Sequence, residues 1–257
     1  MDFDDDLNAC AEIVERGDPD RFRATMASPV AARAVLFPIY AANVEAARAP
    51  FVTQEPLIAE MRLQWWVDAL AEIAAGGLVR RHEVVTPLAH VLDAEGARVL
   101  SEGVEARRRD AAREDMGEVA ELEDYLRATG GSLMWAASRA LGATDEVRAR
   151  AVGRQAARAN WLLGVPALQA RGIRPLPEMT LEAVGRLAAS WRDDRSGLEA
   201  VPSKAGRPAE LAAWRAPGIL AAAARDPQAV LDGRLSGPAA GQGLRLALRA
   251  AGIGRAV

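Results

Sequence analysis

Polar and small side chains recur at helical spacing in two places where a ligand could be held. In the first, Leu36, Tyr40, Asn43 and Ala47 follow i, i+4, i+7, i+11 and share one stripe of a helix. In the second, Asn160, Gly164 and Leu168 repeat at i, i+4, i+8 and share another. Tyr40, Asn43 and Asn160 offer hydrogen bonds, but no stripe residue is a carboxylate, so neither stripe supplies the oxygen ligands a hard cation needs. Glu45 lies about 160° around the wheel from Ala47 and cannot take its place without rebuilding the helix. Arg62 falls inside the apolar arc of its own helix, among Ile58, Leu63, Trp65, Trp66 and Ala69. A charge on a buried face costs several kcal/mol unless paired. Arg62 is therefore either a snorkelling or structurally paired arginine, or a cleft arginine that holds an anionic ligand or a partner carboxylate. Trp65 and Trp161 read as core residues that could also floor a pocket.

Other chemistry-bearing residues have plainer readings. His82 and His90 lack the companions a zinc site requires. Asp193-Asp194, beside Arg192 and Arg195, read as a surface ion-pair cluster, and Arg107-Arg108-Arg109, balanced by Asp110, Glu114 and Asp115, as a solvated helix face. The acidic run Asp2, Asp4, Asp5 and Asp6 reads as a solvated tail entering a helix, where acids are favoured. No glycine-rich phosphate loop, G-x-S-x-G turn or Cys/His pair supports nucleotide or acyl-transfer chemistry.

These residues must be positioned by helices, because alanine-rich segments at helical spacing dominate and β-branched or aromatic alternation is not sustained. The pattern predicts helices over 5–16, 20–27, 29–48, 54–75, 84–93, 97–106, 118–141, 145–171, 180–193, 208–215, 217–225 and 239–250. Gly17-Asp18-Pro19, Ser28-Pro29, Gly76-Gly77, Gly172 to Pro177 and Ser203 to Pro208 carry the loop chemistry between them. No fixed-period repeat and no composition shift divides the chain, so residues 1–257 are expected to form a single domain. Half of the residues are hydrophobic, enough for a sizeable core, while a net charge of −3 argues against a nucleic-acid partner, which would need a basic stripe. The one cysteine, Cys10, excludes an intramolecular disulfide and fits a reducing cytoplasm. No run of 18 apolar residues predicts a transmembrane span, and the acidic start is unlike a signal peptide. Lys204 is the only lysine; that bias toward arginine, with abundant alanine, fits a GC-rich genome.

The order and spacing of the two stripes resemble the squalene/phytoene synthase family, whose enzymes join two prenyl diphosphates head to head on a magnesium cluster. Leu36–Phe51, LFPIYAANVEAARAPF, is similar to the family's Y-A-F-C-R-x-x-D-D-x-x-D, without a gap from Tyr40. Gly153–Pro177, GRQAARANWLLGVPALQARGIRPLP, is similar to Q-L-T-N-I-L-R-D-V-x-E-D-x-x-R-G-R-x-Y-L-P, without a gap from Asn160 through Val165, Arg171 and Gly172 to Leu176 and Pro177. Ala47, Arg48 and Phe51 stand at the three aspartate positions of the first motif, and Gly164 and Leu168 at the D-x-x-x-D pair of the second. Weaker agreement lies in Glu102-Gly103-Val104-Glu105 and in Tyr125–Gly142, YLRATGGSLMWAASRALG, whose small residues permit close helix contact. Ala42-Asn43-Val44-Glu45 and Met61-Arg62-Leu63-Gln64-Trp65-Trp66 resemble the A-F-N-V-E and M-R-x-Q-[FW]-W of a divergent branch. That branch includes the mitochondrial assembly factor for respiratory complex I and its bacterial relatives, and is regarded as having shed prenyl transfer.

The resemblance, strongest over 20–225, implies an all-α, single-domain helical bundle of the isoprenoid synthase type with a central cleft between the two stripes. It places Tyr40, Asn43, Ala47, Arg62, Trp65, Asn160, Trp161, Gly164 and Leu168 as cleft or ligand-binding candidates, with no catalytic residue, metal ligand or cofactor. In the family, magnesium binds the leaving diphosphate and neutralises charge as the carbon–oxygen bond ionises. The expected function is thus a non-catalytic assembly factor or a protein that binds an apolar ligand or partner. A respiratory-complex subunit, another protein, or an apolar or prenyl ligand would be the partner, in the cytoplasm or peripherally at the inner membrane. The alternative is an active head-to-head prenyl transferase with rearranged ligands, and only there is magnesium expected.

Overall fold

Capping chemistry sets several of the helix starts. Asp18 accepts a hydrogen bond from the Arg21 N–H at 2.9 Å ahead of Pro19, and Asp93, Asp145, Thr180 and Asp226 do the same for the N–H groups of Gly96, Arg148, Ala183 and Ala229. At the other end of a long helix, Gly76 takes φ +69°, the left-handed conformation that closes a helix at least cost to glycine. The computed structural model describes residues 3–235 and 242–252. These comprise α1 (Phe3–Gly17), α2 (Pro19–Met26), α3 (Val30–Arg48), α4 (Pro56–Ala75), α5 (Val85–Val91), α6 (Ala94–Ala106), α7 (Arg108–Ala112), α8 (Val119–Leu126), α9 (Ser132–Ala140), α10 (Glu146–Gln169), α11 (Leu181–Asp193), α12 (Arg207–Glu210), α13 (Ala216–Arg225), α14 (Pro227–Leu231) and α15 (Gln242–Ala250). The fold is all-α, with no strand among the described residues.

Most predicted helices stand within a few residues of their expected bounds. The short α7 and α14 were not expected, and 208–215 divides into α12 and a 3-10 turn at Leu211–Ala213. Residues 239–241 of the last predicted helix, and Asp2 of the acidic run, lie outside the described residues. The predicted helix 118–141 is continuous but passes through a π-helical stretch, Arg127–Gly131, between α8 and α9. That stretch crosses α10 closely: a Cβ on Gly153 would lie 2.2 Å from the Gly130 carbonyl oxygen. Only paired glycines let two backbones approach so nearly.

Two large apolar clusters and a small third one, Ala24, Leu211, Trp214 and Leu246, form the interior among the described residues. Leu36, Ile39, Leu63, Leu70, Leu88 and Trp135 belong to the first, built on α1, α3, α4, α5, α6 and α9. Leu122, Leu162, Val165, Trp191, Ile219 and Val230 belong to the second, built on α8, α10, α11, α13 and α14. α10 joins them, giving Val152 to the first and Leu162 to the second. The segment Val30–Phe51 is long and apolar enough to cross a membrane by length and composition, yet more than half of that window is buried inside the protein.

Four charge readings are corrected by the packing. Asp6 is not solvated: it is buried and receives the Arg81 guanidinium at 2.6 Å. Asp194 is not a surface residue beside Asp193. Half-buried, it accepts from Arg158 at 2.7 Å and Arg154 at 3.2 Å, tying the end of α11 to α10. Arg107, Arg108 and Arg109 do not share a solvated face, because α6 ends at Ala106, Arg107 lies in the turn, and α7 starts at Arg108, so each points to a different neighbour. Arg108 reaches Glu60 at 2.6 Å and Arg109 reaches Glu121 at 2.7 Å. Arg62 is not on the buried arc either. The inward face of α4 is Ala59, Leu63, Trp66, Ala69, Leu70 and Ile73, one helical step away, which leaves Arg62 and Ile58 exposed.

Candidate functional site

The two sequence stripes meet at one cavity. Its volume is about 520 Å³, and its lining includes Tyr40, Asn43, Ala47 and Phe51 from α3 and the turn after it, and Asn160, Trp161, Gly164, Leu168 and Arg171 from α10 and its end. Leu36 continues the α3 stripe but is fully buried in the first cluster, below the cavity lining. Leu133 and Met134 of α9, with Thr129 and Gly130 of the π-helical stretch, close another side. A recess of about 650 Å³ shares Asn43, Ala47, Phe51 and Arg171 with the cavity and adds Arg16 and Arg48.

Each lining residue is held in a definite way. The Trp161 indole N–H donates to the Pro175 carbonyl at 2.9 Å, and its ring lies 5.3 Å from that of Tyr125, so it is a fixed wall, half in the core. The Arg171 guanidinium stacks over Phe51, 4.5 Å from the ring centroid. The Tyr40 hydroxyl donates to the Ala209 carbonyl at 3.4 Å, and the Arg21 guanidinium lies 5.1 Å from its ring. Burial pushes the Tyr40 phenol above its ordinary pKa. Asn160 is exposed, and a Cβ built on Gly164 meets no atom within 4 Å. The α10 wall is therefore open at those positions.

A polar network at the cavity was not legible in the sequence. Tyr125 donates its hydroxyl to Asp110 Oδ2 at 2.7 Å, and Arg107 Nη1 lies 3.7 Å from the same oxygen. The second Arg107 amino group donates to Asn43 Oδ1 at 3.2 Å. Burial pushes the Asp110 carboxyl above the usual carboxylate range, against the opposing pull of Arg107 and the Tyr125 hydroxyl. The available signal was the i, i+3 spacing of Arg107 and Asp110, which read equally well as a solvated pair.

The donor set does not fit a magnesium cluster. Ala47, Phe51, Gly164 and Leu168 line the cavity without offering a side-chain oxygen, and Arg48 is exposed and paired with Glu45 at 2.9 Å. The lining holds two carboxylates, each engaged: Asp18 caps α2 and pairs with Arg21, and Asp110 sits in the network above. Among the described residues, no group of three or more His, Cys, Asp or Glu side chains could hold a metal ion. Magnesium shared with phosphate needs at least one or two free carboxylates.

Arg62 and Trp65 do not join this cavity. They line a separate groove with Glu45, Arg48, Ala49, Val52, Ile58, Met61, Trp66 and His82. His82 is placed there by its ring nitrogen Nδ1, which accepts from the Val84 N–H at 3.1 Å.

Comparison with known proteins agrees with the architecture. A dehydrosqualene synthase solved in complex with a ligand superposes with a TM-score of 0.77 at 14% identity, over 97% of this chain and 96% of that one. The squalene synthase HpnC from Alicyclobacillus acidocaldarius gives 0.67 at 18% identity, over 87% and 94%. At such identities the likeness shows the fold. The NADH dehydrogenase (ubiquinone) complex I assembly factor 6 homolog of Drosophila melanogaster is 32% identical over 135 residues, which cover 49% of this chain and 39% of that relative. The squalene/phytoene synthase family model matches residues 14–202, most of the chain including both walls of the cavity, and the protein belongs to that family.

Proposed function

We propose that this chain is a non-catalytic member of its family that works by binding, as an assembly factor for a protein partner. The single observation that carries this reading is the cavity lining. The positions that would hold magnesium present Ala47, Phe51, Gly164 and Leu168, and both lining carboxylates are engaged by arginines. Without metal, the charge that develops on a leaving diphosphate has no neutralising partner of the family's kind. The likeness to the fly assembly-factor homolog, although it spans under half of either chain, supports a respiratory-complex subunit as the partner. Such a role would be exercised in the cytoplasm, peripherally at the inner membrane. Magnesium with a prenyl thio-diphosphate analogue should leave the melting temperature unchanged, whereas an active prenyl transferase with rearranged ligands would be stabilised by both together. A pull-down from the native host should recover respiratory-complex subunits; recovery of carotenoid or hopanoid enzymes would favour the catalytic alternative.

A second reading, an apolar ligand in the cavity, is favoured by the space itself. About 520 Å³ lies within the range of small-molecule sites, and Trp161, Leu133, Met134 and Leu168 give it apolar walls. Native mass spectrometry and solvent extraction of the purified protein should then release a prenyl chain, a quinone or a similar compound. Protein that is empty after purification from its own host would contradict that reading.

A further inference from the structure

The groove that holds Arg62 lies outside the family's cavity. It has a volume of about 470 Å³ and is built where the end of α3 and the turn after it meet the first half of α4. Trp65 and Trp66 line it, their rings 5.0 Å apart and edge to face, with the His82 ring 5.0 Å from Trp65. Its rim is unusually apolar for an accessible surface. Val52, Ile58 and Met61 are 45%, 45% and 64% exposed, and the neighbouring Leu57 is 73% exposed. Contiguous exposed apolar residues of this kind mark a binding surface more often than an accident of composition.

The charges around the groove leave one cation over. Arg48 is paired with Glu45 at 2.9 Å. Arg80, stacked 4.9 Å over Trp65, is held by Glu72. Glu60, two residues before Arg62, is taken by Arg108 at 2.6 Å. Burial pushes the His82 imidazole below its ordinary pKa, against the pull of Glu83, Glu45 and Asp6, and so disfavours its charged form. Arg62 is exposed and forms no ion pair with any described residue. The lining thus pairs an aromatic and aliphatic floor with one uncompensated guanidinium. That combination suits a molecule with an apolar body and a single negative end, since guanidinium recognises carboxylate and phosphate by paired N–H donors. The volume falls within the range of small-molecule clefts, and a single unpaired guanidinium matches a single head group, which together favour a small amphiphile over a partner's helix laid across the surface.

We propose that this groove is a second binding site, for a small amphiphile whose apolar chain lies on Trp65, Trp66, Ile58 and Met61 and whose carboxylate or phosphate head pairs with Arg62. The site does not depend on what the central cavity does.

Calorimetric titration of the full chain with dodecanoate and with dodecyl phosphate, each below its micelle concentration, tests the site. Binding of at least one is expected, and the stronger of the two identifies the head group. The change in tryptophan fluorescence on binding should shrink in Trp65→Phe. Arg62→Gln should weaken the anionic probe about tenfold while leaving dodecanol unaffected, as expected for loss of one charge-assisted contact. Met61→Glu should abolish binding. Gly164→Leu, which fills the central cavity, should change nothing. No heat with either anionic probe would overturn the proposal and leave the face to a protein partner. Equal binding of dodecyltrimethylammonium, insensitivity to Arg62→Gln, or loss of binding in Gly164→Leu would also overturn it.

Discussion

Rebuilding the carboxylates that the cavity lacks would put its geometry to a direct test. Consider Ala47→Asp, Arg48→Asp, Phe51→Asp, Gly164→Asp and Leu168→Asp made together. Gly164 sits inside α10 with nothing within 4 Å of a built Cβ, so the aspartate recovers a few tenths of a kcal/mol of helix preference over glycine. Leu168 and Phe51 are half-buried, and replacing each forfeits about 1 kcal/mol of apolar burial. Phe51→Asp also gives up the stacking on Arg171, worth about 0.5 kcal/mol, but offers Arg171 a carboxylate in exchange. Arg48→Asp loses an exposed pair with Glu45 and sets two acids at i, i+3, at about 0.5 kcal/mol together. Partial burial of the new Ala47→Asp carboxylate adds about 1 kcal/mol. The sum is about 3.5 kcal/mol, so the variant should remain folded with a melting temperature lower by about 10 °C. Magnesium titration by calorimetry should then give binding that the parent does not show. Turnover of prenyl diphosphates should still be poor, because positioning and pocket shape supply much of the rate and are not restored. A folded variant with no magnesium heat would mean that the two walls do not face each other as described. A variant that fails to fold would mean that Leu168 or Ala47 is packed inside and does not line a cavity.

Other consequences can be checked on the parent scaffold. Arg148 and Glu210 form a bidentate pair with each side chain at most 5% exposed, so Glu210→Ala should destabilise by about 3–5 kcal/mol in urea denaturation, since it strands a buried guanidinium. Gly153→Ala would place its Cβ 2.2 Å from the Gly130 carbonyl oxygen and should lower stability by about 3 kcal/mol or more, while Gly164→Ala should raise it by up to about 1 kcal/mol; melting curves of the two separate a crossing glycine from a cavity glycine. For Asp194, burial raises the carboxyl, but the Ser196 N–H and the Arg158 guanidinium outweigh it and hold the group well below the usual carboxylate range. Its stabilising contribution is therefore present above an unfolded value of about 3.9 and is lost as pH falls below it. Asp194→Asn should lose stability at pH 6 but show a flatter decline between pH 4 and pH 2, followed by urea midpoints across that range.

The bundle was legible because the local signals agreed with one another. Alanine at helical spacing, Asp18 ahead of Pro19, and Gly76 after α4 each mark a boundary by chemistry that acts within a few residues. The cavity stripes were legible for the same reason: once α3 and α10 are helices, Tyr40, Asn43 and Ala47 must share a face, as must Asn160, Gly164 and Leu168. What could not be read depends on contacts between distant segments. A helical wheel gives the width of the apolar arc of α4 but not which edge meets the core, so Arg62 and Trp65 were assigned to the wrong opening. Asp110 is hydrogen-bonded by Tyr125, 15 residues later, and the π-helical stretch meets α10 through a glycine contact. α7 and α14 are five-residue helices, too short to show a period.

Incubation of the purified chain with farnesyl or geranylgeranyl diphosphate and magnesium, with organic extracts followed to many enzyme equivalents of time, tests the central claim most directly. The account expects intact diphosphates and neither squalene nor phytoene, because the cavity lining offers no free carboxylate to gather the metal. Release of diphosphate coupled to squalene or phytoene formation, lost on chelation of magnesium, would contradict it.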